Sequence, residues 1–145
     1  MSHYLSNDFW FIHGTTATMS LTNPISWSAV GFDSGMSVID LPNNSMIVPV
    51  DGLYNVSAKL SSDEGAVPEI YILLHINGVG SAWSQYGLEE FTGEAVFPLP
   101  AMLNAFLNLE AGDVLTIYGN GDGLDVGPTI ETGQDNSYMS LRRVR

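Results

Sequence analysis

The chain has 145 residues, 45% of them hydrophobic, which is enough for one domain with a real core. Its 4 Lys and Arg against 16 Asp and Glu give a formal net charge of -12, which argues against a nucleic-acid surface and against docking on an anionic membrane. It has no cysteine, so disulfides, thiolate metal sites and cysteine nucleophiles are excluded.

Glycine and proline are spread along the whole chain, and the apolar segments between them are short, the pattern of an all-β sandwich or barrel. The first residues carry an apolar knot, Phe9, Trp10, Phe11 and Ile12, with His13 and Asp8 as a polar cap. Residues 1–24 are expected to be an N-terminal docking arm and residues 25–145 the domain proper. Neither a basic leader followed by an apolar stretch nor a run of ~20 apolar residues is present, so no signal peptide and no membrane span are expected.

The clearest strand is predicted over 53–60, where Tyr54, Val56, Ala58 and Leu60 alternate with Asn55, Ser57 and Lys59. Residues 69–76 read as a strand covered on both sides. Ile70, Ile72, Leu74 and Ile76 take one face, and Tyr71, Leu73 and His75 the other. Asn77-Gly78 then marks a tight hairpin turn. Residues 103–109 suit helix or strand; the prolines before them and Ala111-Gly112-Asp113 after them favour a strand. Val114–Tyr118 follows as another strand, residues 119–127 as a Gly/Asp loop, and residues 138–144 as a closing strand with Arg142, Arg143 and Arg145 at its end.

Taken in order, these segments resemble the tumour necrosis factor and complement globular-head superfamily. VPVDGLYNVSAKL at 48–60 is similar to its strand with Gly-hydrophobic-Tyr, and IYILLHINGV at 70–79 to the strand and Asn-Gly turn that follow. LNLEAGDVLTIYG at 107–119 resembles its strand, Ala-Gly-Asp corner and strand, and SYMSLRRV at 137–144 its closing strand. WSAVGFDSG at 27–35 fits the opening strand more loosely. The resemblance covers about residues 25–144. It implies an antiparallel two-sheet jelly-roll sandwich, usually trimeric, here without a collagen-like stalk.

Chemistry-bearing motifs are sparse. His3, His13 and His75 form no metal-ligand pair, and no GxSxG elbow is present. Glu89 and Glu90 are adjacent and would point to opposite faces of a strand. Asp122 and Asp125 offer hard oxygens for calcium but lack the spacing of a calcium loop. The expectation is therefore a binding protein, not an enzyme, with no cofactor and no metal. Its first partner is itself, as a homotrimer closing through Tyr71, Leu73 and His75. Its second is a viral capsid or other virion protein, met through Phe9, Trp10, Phe11, Arg142, Arg143 and Arg145. That makes it a phage or viral capsid decoration (cement) protein, folded in the host cytoplasm and carried on the virion surface. The alternatives are a receptor- or glycan-binding knob of a viral fibre and a secreted ligand of the same fold.

Overall fold

Alternating side chains and frequent turn residues leave this chain little choice but strands. The computed structural model describes residues 8–14, 18–20, 22–61, 69–88, 101–121, 126–129 and 137–145. Among them run twelve strands: β1 (Phe9–His13), β2 (Thr18–Ser20), β3 (Ala29–Asp33), β4 (Ile39–Asp40), β5 (Ser45–Ile47), β6 (Gly52–Leu60), β7 (Glu69–Ile76), β8 (Val79–Leu88), β9 (Ala101–Leu109), β10 (Val114–Gly121), β11 (Val126–Thr129) and β12 (Tyr138–Arg143). The only helical element among the described residues is one 3-10 turn, Leu41–Asn43.

The strands form two antiparallel sheets. The first has the order β3-β1-β12-β6-β9. The second runs β11-β2-β10-β5-β4, with β7 pairing both β10 and β8. Apart from β4-β5, β7-β8 and β10-β11, consecutive strands lie in different sheets, so the chain crosses repeatedly between the two layers, as in a jelly roll. The segment expected as an arm supplies β1 and β2. Phe9–His13 is an interior strand of the first sheet, hydrogen-bonded between β3 and β12.

The core is read directly from the register. Trp10, Leu141, Val56 and Ala105 lie in one row across β1, β12, β6 and β9, and Ile12, Met139, Ala58 and Leu103 in the next. All eight are buried. From the second sheet Ile72, Leu74, Leu115, Ile117 and Met46 close over them. Burying the larger aliphatic side chains among these removes roughly 1.5–3 kcal/mol of unfavourable hydration each. The expected inward residues of β6 are all buried, as are Leu109, Leu115 and Ile117, while Ile76 and Leu107 are half-buried against the cluster. The side chain of Ile70 lies outside the described residues.

The turns hold the layers in register. Asn77 and Gly78 adopt φ values of 54° and 78°, and Ile76 pairs with Val79, which makes a two-residue turn of the I′ kind. The Asn77 amide donates to Asp113 Oδ1 at 2.9 Å, and its carbonyl accepts from the Val114 N–H at 2.9 Å. The Ala-Gly-Asp corner is tied down as well. Gly112 N–H donates to Val48 O at 2.8 Å and Ala111 N–H to Asp51 Oδ1 at 2.9 Å. The predicted loop over 119–127 is shorter than the sequence suggested: Gly119–Gly121 continue β10 and Val126 opens β11. Gly119 pairs with Ser20 and Ile72, and these ladder bonds override the glycine-rich composition.

Candidate functional site: an aromatic, basic sheet face

The period of two that buries Trp10 and Ile12 sends Phe9, Phe11 and His13 to the opposite side of the first sheet. Strand pairing then lays out that outer face in three rows. His13, Tyr138, Lys59 and Met102 form the first; Phe11, Ser140, Ser57 and Asn104 the second; Phe9, Arg142, Asn55 and Phe106 the third. Phe32 on β3 adds to the edge beside Phe9, with ring centroids 5.9 Å apart.

The aromatic rings touch one another in a ladder. Phe9 and Phe11 lie 6.2 Å apart, Phe11 and His13 6.0 Å, and Phe11 stacks on Tyr138 at 5.2 Å. Gly31 makes this possible, since a Cβ there would meet the Phe11 ring at 2.6 Å. The Arg142 guanidinium sits over the Phe9 ring, 5.0 Å from its centroid, a cation–π arrangement. Between these groups and Phe106 lies an open hollow of about 430 Å³, floored by Asn55, Ser57 and Ser140.

Two properties set this face apart. It is apolar and wet: Phe32 is 52% exposed, Phe106 62% and Met102 47%. Contiguous apolar surface of this kind marks interaction sites on soluble proteins. It is also basic. Lys59 and Arg142 lie on its rows with no Asp or Glu among them, in a chain whose net charge is -12.

The residues singled out in the sequence divide between the two sides of the molecule. Phe9, Phe11 and Arg142 come together on this face. Trp10, expected beside them as a partner contact, points the other way. It is fully buried, and its indole N–H donates to Gly35 O at 2.9 Å. Alternation splits the arginines too: Arg143 turns from the face and lies 4.0 Å from Asp8, a half-exposed pair worth little to stability. Arg145 is exposed, with its carbonyl held by Leu53 N–H at 2.8 Å. Leu73 and His75 are half-buried on the outward side of the second sheet, on the far side of the core from the aromatic face. The His75 ring stacks on Tyr118 at 4.0 Å. The side chain of Tyr71 lies outside the described residues, as do Asp122 and Asp125. Trp27 is buried.

Several members of the face escaped the sequence reading: Phe32, Lys59, Met102, Phe106 and Tyr138. The available signal was an aromatic residue at a position whose phase is otherwise polar. Phe106 stands among Asn104 and Asn108 on the outward side of β9.

Among the described residues no group of three or more His, Asp or Glu is placed to hold a metal ion, and no helix is long and apolar enough to cross a membrane. No family model matches the chain, and no curated protein matches it by sequence. Solved structures do. The Eiger tumour necrosis factor of S. frugiperda superposes with a TM-score of 0.72 at 16% identity, covering 94% of this chain and 92% of that one. The globular domain of zebrafish complement 1qA gives 0.70 at 14%, covering 96% and 98%. Murine APRIL gives 0.67 at 8%, covering 93% and 97%. At these identities the likeness is one of fold, and it is nearly end to end: the chain has the jelly roll of the tumour necrosis factor and complement globular-head type.

Proposed function

We propose that this protein is a self-assembling interaction module, a homotrimeric knob that closes through the outer face of its first sheet. The observation that carries this reading is the aromatic face on which the exposed Phe32 and Phe106 flank the half-buried Phe9 and Phe11, beside Lys59 and Arg142. Charge favours a second copy of the chain as the occupant, because a basic face suits an acidic surface and the rest of this chain is acidic. Charge also favours the symmetry. A two-fold contact would set Lys59 and Arg142 of one copy against those of the other. A head-to-tail contact sets the face against a different, acidic part of its neighbour, and such contacts close into rings. The count of three rests on the resemblance of the sequence to a superfamily whose members are usually trimeric.

Sedimentation equilibrium at micromolar concentration tests this. A mass three times the 15.7 kDa of the chain is expected. A monomer at all concentrations would refute the reading, and a two-fold dimer would refute the symmetry argument.

The finer role we propose is decoration of a virion surface, with a viral capsid protein as the partner. A symmetric knob meets a shell at several points at once, so weak individual contacts add up through avidity. Co-sedimentation with capsids is the measurement. Pelleting with the shell is expected, and binding to a defined glycan without any shell association would replace this role with that of a receptor-binding knob.

A further inference from the structure

The Asn77-Gly78 pair carries chemistry of its own besides making a turn. An asparagine followed by glycine can lose its side-chain amide without an enzyme. The Gly78 main-chain nitrogen attacks Asn77 Cγ and an N–Cγ bond forms. The Cγ–Nδ2 bond breaks, and ammonia leaves with the proton that the Gly78 nitrogen gives up. Water then opens the cyclic imide to aspartate or isoaspartate, and nothing is oxidised or reduced. Glycine suits the second position because it puts no side chain beside the attacking nitrogen.

The surroundings leave this pair open to water but hold the amide in place. Asn77 and Gly78 are both exposed, and a Cβ on Gly78 would meet nothing within 4 Å. The Asn77 side chain is engaged at both ends: Nδ2 donates to Asp113 Oδ1 at 2.9 Å, and Oδ1 accepts from the Val114 N–H at 2.9 Å. Its backbone N–H donates to Val114 O at 2.8 Å. Nδ2 cannot leave while it is bonded to Asp113, so the reaction waits for a local opening of the corner. The product cannot remake the tie. An oxygen in place of Nδ2 sets two carboxylates against each other where a 2.9 Å hydrogen bond had been. Isoaspartate also lengthens the main chain of a turn that has no slack.

We propose that Asn77 is a site of spontaneous deamidation which the closed corner holds back, and that its conversion unties the β7–β8 turn from the Ala-Gly-Asp corner in a way that refolding does not reverse. This does not depend on the assembly reading. Peptide mapping by mass spectrometry at mildly alkaline pH tests the first half, and it separates Asn77 from Asn120-Gly121, the other Asn-Gly pair of the sequence. Conversion at Asn77 is expected to be at least ~10-fold slower in the folded chain than in the chain unfolded in guanidinium chloride, which the loss of both side-chain bonds can supply. This comparison needs no variant. Asp113→Ala, checked as folded by circular dichroism, should speed conversion in the folded chain at least ~3-fold. Asn77→Asp places the aspartate product directly and tests the second half. It should melt below the wild type, and adding Asp113→Asn should recover much of the loss, because an amide again faces a carboxylate across the corner. Equal conversion in the folded and unfolded chain overturns the restraint, as does a folded Asp113→Ala chain that converts no faster than the wild type. No conversion at Asn77 even in the unfolded chain overturns the site itself. An Asn77→Asp chain as stable as the wild type, or a double variant no more stable than Asn77→Asp, overturns the untying.

Discussion

Replacing Phe106 with alanine separates the stability of the fold from the strength of its assembly. The ring stands on the outer side of β9, 62% exposed, so the isolated chain gains little from it. A phenylalanine offers roughly 200 Å² for burial, so about 120 Å² of this one remains for a neighbour to cover. At about 25 cal/mol per Å² that is about 3 kcal/mol if coverage is complete. Incomplete coverage and the ordering of side chains at the contact reduce the net to about 1.5–3 kcal/mol, or a ~10- to 150-fold weaker contact. The cost to the monomer is the lower strand preference of alanine, under about 1 kcal/mol. Dilution series followed by sedimentation velocity measure the first quantity, and thermal melting of the dilute, separated chain measures the second. Loss of association with little change in melting is expected. A Phe106→Ala protein that assembles as tightly as wild type would refute the assignment of this face. Leu103→Ala, on the same strand but facing inward, provides the contrast. It should cost about 2–5 kcal/mol of fold stability, because it opens a cavity in the core.

Two further predictions concern the frame that presents the face. Asn77→Gly should cost about 1–2 kcal/mol in urea denaturation, through loss of the side-chain bonds to Asp113 and Val114. Asn77→Ala should cost roughly 1 kcal/mol more than Asn77→Gly, because a φ of 54° strains alanine and not glycine; equal costs would show that the turn conformation contributes nothing. Burial holds the Tyr54 phenol above its ordinary value near 10, against the opposite pull of Arg143. The folded chain then keeps a proton that the unfolded chain releases, so stability is whole below about pH 10 and falls as the pH rises above it. Tyr54→Phe should lose about 1 kcal/mol at neutral pH and flatten that alkaline decline, as read from melting temperatures across the alkaline range.

The parts of the fold that depend on local rules were legible. An alternating segment such as Tyr54 to Leu60 can bury only one of its two sets, and the apolar set is the one buried. Asn77-Gly78 can take positive φ at both positions more readily than other pairs, and it does. The Ala-Gly-Asp corner needed Gly112 at a φ of 93° and a carboxylate to receive the Glu110 N–H. Where composition competed with pairing, composition misled. Gly119–Gly121 look like loop but lie in β10, because bonds to β7 and β2 decide their conformation and come from residues ~50 and ~100 positions away in the chain.

The face was illegible for a related reason. Its members come from five strands that are adjacent only after the jelly roll has brought β1 between β3 and β12. The aromatic knot at Phe9 to Ile12 was conspicuous, but read as a tail it gives no phase. Only when His13 pairs with Tyr138 and Phe9 with Arg142 does alternation assign Trp10 to the core and its two neighbours to the surface. The same step shows why the three C-terminal arginines do not act as one patch. Consecutive residues of a strand point to opposite sides, so Arg142 joins the aromatic rings while Arg143 turns towards Asp8. It also sets the two apolar expectations against each other. Leu73 and His75 are half-covered, with His75 stacked on Tyr118, whereas Phe32, Met102 and Phe106 stay about half exposed. Covering that second group would favour the association proposed above, so exposure on this face, rather than hydrophobicity along any one strand, is the feature behind that proposal.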